Sequence, residues 1–175
     1  MEILLNPFDA IQAFLLAGGP VLGFIMIVTF IMWALIVERI IYFLASRGSV
    51  QKKAERSWAA RDEHRSWYAK AVREKLISEV DLEARSNFGF IKGLVAVSPL
   101  LGLLGTVTGM IEVFDVMAVT GSSNARLMAG GISKATIPTM AGLVASLSGI
   151  IALNFLERQQ KQAVATAADK LALED

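Results

Sequence analysis

The sequence predicts an all-α membrane protein, with three transmembrane helices and a helical cytoplasmic extension. Three observations predict it. Residues 93–111 and 135–156 are two long stretches without a charged side chain, studded with glycine, alanine, serine, threonine and proline. A third apolar stretch, 21–37, continues past Glu38-Arg39 through Ile40, Ile41, Tyr42, Phe43 and Leu44. Over 175 residues, 54% are hydrophobic and 19% charged with a mean hydropathy of +0.53, which is high for a soluble domain yet leaves room for a solvated part. At ~1.5 Å per residue, stretches of this length cross a ~30 Å hydrocarbon core.

The elements follow in order. Residues 1–19 form an outer amphipathic segment, in which Phe8, Ile11 and Leu15 recur at helical spacing before Gly18-Gly19-Pro20 breaks the helix. This segment is expected along the membrane surface, as a plain anchor or as a collar. Residues 20–45 are the first crossing. No lysine or arginine precedes it and it exceeds the apolar core of a secretory signal, so a retained helix is expected. Residues 46–92 are a cytoplasmic helical segment rich in alanine, glutamate, lysine and arginine, with Trp58, Trp67, Tyr68, Val72 and Leu76 interspersed as packing residues. Residues 93–119 are the second crossing, 120–131 a short outer loop, 132–156 the third crossing and 157–175 a cytoplasmic tail.

Charge sets the expected orientation, because lysine and arginine near helix ends are retained on the cytoplasmic side. The first 38 residues contain neither. Twelve of the 17 lie from Arg39 to Lys92 and three more follow the last crossing, leaving only Arg126 and Lys134 on the other side. The amino terminus is therefore expected outside and the carboxyl terminus inside.

The second and third crossings carry the most information. Gly102, Thr106, Gly109 and Val113 share one helical face, and Gly105, Thr108, Glu112 and Asp115 make the adjacent one. The third crossing repeats the arrangement with Thr139, Gly142, Ser146 and Gly149, beside Pro138, Ala141, Ala145, Ser148 and Ala152. Small residues are what membrane helices use to approach closely. Two readings stay open at this point: a hydroxylated path between helices, and tight packing with nothing passing. Placing Thr106 level with Thr139 in an antiparallel pair sets Glu112 within about one residue rise, ~1.5 Å, of Lys134 in depth. These two are a candidate ion pair near the outer end, within a subunit or between subunits, although Lys134 has the alternative of snorkelling to water. No acidic side chain lies in the middle of a crossing. A hydroxyl does not titrate near neutral pH, so any proton-carrying carboxylate has to come from a partner.

The densest motifs, Ser98-Pro-Leu-Leu-Gly-Leu-Leu-Gly-Thr-Val-Thr-Gly-Met-Ile111 and Gly131-Ile-Ser-Lys-Ala-Thr-Ile-Pro-Thr-Met-Ala-Gly-Leu143, resemble the ExbB, TolQ and MotA family of proton-driven motor subunits, in its shorter ExbB-like branch. The resemblance implies a homo-oligomer, a pentamer, in the bacterial inner membrane, surrounding the helices of an ExbD-like single-pass partner with an intramembrane aspartate and energising a TonB-like protein. It implies that Thr106 and Thr139 line the pore and face that aspartate. Where the family usually has a glutamate at the start of the third crossing, this chain has Lys134, and Glu112 on the facing helix is expected to restore a charge pair with reversed sign.

Alternatives within the same pattern are a TolQ-like subunit energising a TolA-like envelope protein and a non-conducting helical scaffold. A MotA-like stator fits less well, since that branch usually has a fourth crossing and a larger cytoplasmic domain. A solute transporter is disfavoured by the absence of an inverted repeat. No catalytic residue, cofactor or metal site is expected: there is no cysteine, and the single histidine, His64, sits in a charged run. Nucleic-acid binding is not expected either, because the basic residues of the cytoplasmic segment alternate with seven acidic ones; membrane lipid suits them better.

Overall fold

The computed structural model describes residues 7–60, 63, 66–120 and 125–171; the side chains of 7–11, 13, 14, 16, 17, 46–51, 120 and 125–127 lie outside that description, as do His64 and the two chain ends. The described chain is helical almost throughout. Helix α1 spans Pro7–Ile41, α2 Arg47–Ala59, α3 Trp67–Ala84, α4 Phe88–Thr120 and α5 Ala125–Lys170, with a π-helical stretch over Tyr42–Ser46 between α1 and α2. Three stretches are long and apolar enough to cross a membrane: Gly18–Ala45, Trp67–Val119 and Met128–Lys170.

Local chemistry explains the boundaries. Gly19 adopts φ 67° and ψ −169°, so α1 is two helical pieces meeting at Gly18-Gly19-Pro20, a conformation that glycine alone adopts freely. Ser66 caps α3, its hydroxyl accepting the Ala69 N–H at 3.2 Å. The turn between α3 and α4 passes through Asn87 at φ 65°, which an asparagine tolerates better than most residues. Helix α5 begins inside the span read from sequence as a loop and continues without interruption through the tail.

The chain folds as two compact units. The first comprises 1–33 and 92–150, the second 34–91 and 151–175. In the first, Leu22, Ile25 and Met32 of α1 are buried, with Val95, Ser98, Gly102, Gly105 and Val113 of α4 and Ala135, Pro138, Gly142, Ala145 and Gly149 of α5. Leu100, Leu103, Leu104, Val107, Met140, Val144 and Leu147 are exposed. This inversion, small residues inside and large apolar ones outside, suits a solvent of lipid tails.

The second unit has a core of its own made by three helices. Ala54 and Trp58 of α2, Ala69, Leu76 and Val80 of α3, and Ala167 and Leu171 at the end of α5 form its core, with Val72 and Ile77 packed against it. Arg73 ties α3 to the end of α5, donating to the carbonyls of Leu171 at 2.6 Å and Ala168 at 2.9 Å, which lack helical partners at a C-terminus. Trp67, by contrast, is 80% exposed and stacks edge-on with Tyr68.

Candidate functional site

The site is the seam between α4 and α5 in the first unit. A Cβ at Gly102 would stand 2.9 Å from the Cα of Thr139, and one at Gly142 would stand 2.5 Å from the carbonyl oxygen of Ser98. Gly105 lies against the ring of Pro138, Gly109 against Ala135 and Gly131 against Val113, while Gly149 meets Met32 and Val95. The glycines thus let the two backbones touch over several turns. Ser146 is buried in the same stretch.

This closeness puts Thr139 within reach of the opposite backbone. Its hydroxyl donates to the carbonyl oxygen of Gly102 at 2.7 Å. In a regular helix that carbonyl also accepts the N–H of Thr106, so one oxygen joins the two threonines, one through its hydroxyl and one through its amide. The Thr106 hydroxyl itself donates back to Leu103 at 2.7 Å. Thr108, Thr136, Ser98 and Ser148 likewise donate to carbonyls of their own helices. Thr139, unlike these, donates across to another helix. With their protons engaged, the Thr106 and Thr139 oxygens keep lone pairs with which to accept. They can accept from water or a protonated carboxyl but cannot carry a proton as a titrating site.

Glu112 and Lys134 line one cleft of about 100 Å³, together with Gly18, Gly19 and Pro20 of α1 and Gly105, Thr108 and Gly109 of α4. Both are exposed, and among the described residues they make no ion pair with each other. Gly102 and Gly105 meet Thr139 and Pro138, and Gly109 meets Ala135, the residue after Lys134. No group of three or more histidine, cysteine, aspartate or glutamate side chains among the described residues is placed to hold a metal ion.

A second polar centre, in the other unit, was not read from the sequence. Arg39 is almost wholly buried and grips the Glu38 carboxylate through Nε at 2.7 Å and Nη2 at 2.5 Å. Its Nη1 donates to the carbonyl of Glu83 at 3.2 Å and its guanidinium lies 4.7 Å from the centre of the Tyr42 ring. Asn87 adds a donor to Glu38 at 3.3 Å, so the end of α1 is fastened to the turn between α3 and α4. Asp81, on the same stretch of α3, accepts from Arg85 and from Gln160 of α5. The signal available in sequence was the Glu-Arg pair inside an apolar run, since charges there need partners.

The model of the MotA/TolQ/ExbB proton channel family matches residues 44–168. Among curated proteins, the biopolymer transport protein ExbB of Salmonella typhimurium is 36% identical over 96 residues, covering 55% of this chain and 39% of that protein. The ExbB of Helicobacter pylori is 32% identical over 83 residues, 47% of this chain and 57% of its own length. The biopolymer transport protein exbB1 of Vibrio cholerae is 44% identical over 61 residues, 34% of this chain and 27% of that protein. The chain therefore spans less than two thirds of the length of each of these relatives.

Proposed function

The chain belongs to the MotA/TolQ/ExbB proton channel family as an ExbB-like member, and from that premise we propose that it is the channel and motor subunit of a bacterial inner-membrane complex. In this reading five copies surround the membrane helices of an ExbD-like single-pass partner whose intramembrane aspartate carries the proton. The proton motive force then moves the assembly and energises a TonB-like protein for import across the outer membrane. The amino terminus lies in the periplasm and the carboxyl terminus in the cytoplasm, in keeping with the distribution of lysine and arginine.

The single observation that carries this reading is the close-packed α4–α5 seam in which the Thr139 hydroxyl is pinned to the Gly102 carbonyl. A partner's carboxyl brought against Thr106 and Thr139 meets fixed hydrogen-bond acceptors that do not themselves titrate near neutral pH, so its proton is oriented without being captured by them. One charge crossing 100 mV releases about 2.3 kcal/mol, enough over several protons to bias stepwise motion. The large apolar side chains exposed along α4 and α5 support packing against lipid and further helices. Co-expression with the ExbD-like partner, native mass measurement of the purified complex and proton uptake by liposomes test the proposal. It predicts uptake that needs the partner and is lost when the partner's aspartate becomes asparagine; uptake by this chain alone, or undiminished by that substitution, contradicts it.

A further inference from the structure

In the first unit the kink of α1 at Gly19-Pro20 comes to the same cleft as the part of α5 whose hydrogen bonding Pro138 interrupts. Gly19 leaves helical geometry and Pro20 has no N–H, so carbonyls in the turn before them lose their donors. Pro138 of α5 cannot donate to the carbonyl of Lys134 for the same reason. The cleft at this spot is walled by glycines 18, 19, 105 and 109, which leave backbone uncovered, and it holds Glu112 and Lys134, not ion-paired with each other. Irregular backbone at membrane depth is tolerated where it lines a wet cavity. The cleft of about 100 Å³ has room for about three waters at roughly 30 Å³ each.

Resting on the channel reading above, we propose that this cleft is a hydrated access passage to the α4–α5 seam and that Glu112 is its proton-exchanging group. The floor of the cleft is Gly105, packed on the ring of Pro138. Three residues along α4, about 4.5 Å, separate Gly105 from the Gly102 carbonyl that Thr139 engages. Water in the cleft thus ends within one helical turn of the threonine pair. In the exchange, a hydronium gives its proton to the Glu112 carboxylate, leaving a carboxylic acid and a water; release of that proton to the next water restores the carboxylate. The charged group facing Glu112 across the cleft is Lys134 of α5. Helix α1 presents Gly18, Gly19, Pro20 and Val21 to it, and Asp115 follows one turn on along α4.

The chain has no cysteine, so single introduced cysteines report without background. The full complex in liposomes is treated with a membrane-impermeant charged methanethiosulfonate, using Thr108→Cys from α4 and Val21→Cys from α1 as cleft probes. Val144→Cys on the apolar face is the dry control, and Val119→Cys, 87% exposed in the native residue, the accessible one. The proposal predicts labelling at Thr108→Cys and Val21→Cys together with Val119→Cys, and none at Val144→Cys. Silence at both cleft positions while Val119→Cys reacts overturns the wet passage. Partner-dependent proton uptake then tests the carboxylate: Glu112→Gln removes it and Glu112→Asp restores it. Unchanged uptake in Glu112→Gln overturns the role of Glu112. If the unmodified complex carries no protons, it is the channel reading that fails, and the labelling still decides whether the cleft is wet.

Discussion

Replacing Gly142 by alanine should part α4 from α5 and break the bond that organises the seam. The added Cβ would lie 2.5 Å from the Ser98 carbonyl oxygen, and 3.2 and 3.3 Å from the Cα and N of Gly102. These are backbone atoms, so no rotamer change relieves the contact. Reaching an ordinary separation of 3.4 Å moves the helices apart by about 0.9 Å. Taken up as simple separation, that carries the Thr139 hydroxyl from 2.7 Å to about 3.6 Å from the Gly102 carbonyl, beyond hydrogen-bonding range. Overpacking costs about 1–3 kcal/mol and the lost interhelical bond about 0.6 kcal/mol, while alanine returns up to about 1 kcal/mol of helix propensity. The net expectation is a loss of about 1–3 kcal/mol on these terms. Thermal unfolding of the purified protein in detergent measures it, with Gly23→Ala as the control, since a Cβ there meets nothing within 4 Å. Equal melting temperatures for Gly142→Ala and Gly23→Ala refute the reasoning.

Other perturbations read the second unit. Glu38→Ala leaves the buried Arg39 guanidinium with only the Glu83 carbonyl and the Tyr42 ring, and should cost about 1.5–3 kcal/mol by the same melting assay. Adding Arg39→Met should cost less than the sum of the two single changes, because the second removes the orphaned charge; strict additivity argues against the contact. Trp58→Ala should destabilise by about 3–5 kcal/mol, since Trp58 belongs to the buried core of α2, α3 and α5. Trp67→Ala, at a position 80% exposed, should stay within about 0.5 kcal/mol, and similar losses for both tryptophans contradict this description of the core.

Much of the helical plan was legible in the sequence because charge-free runs such as 93–111 and 135–156 leave lipid as their only solvent. The break at Gly18-Gly19-Pro20 was legible too, being chemistry of single residues. The extent of α5 was not. Its stretch beyond 156 is polar enough to read as a tail, and only the docking of Ala167 and Leu171 into the core with Trp58 and Leu76 shows why it stays helical. Glycine spacing drew attention to the seam of α4 and α5, but not to the contact of Thr139 with Gly102. Gly102 carries no Cβ, which lets Thr139 come that close. The Arg39 centre escaped notice because its partners, Glu83 and Asn87, are far away in sequence and are supplied by a turn with one residue at positive φ. The π-helical stretch at Tyr42–Ser46 has no sequence signal that we can identify.

The most direct test of the central claim is proton uptake by liposomes containing this chain and its ExbD-like partner, comparing the native sequence with Thr106→Ala/Thr139→Val after equal assembly has been confirmed. The account predicts uptake that requires the partner and disappears in the double variant, because the seam then lacks the two hydroxyl oxygens that face the carboxyl. Uptake by the double variant equal to that of the native complex would contradict it and leave the threonines as packing residues.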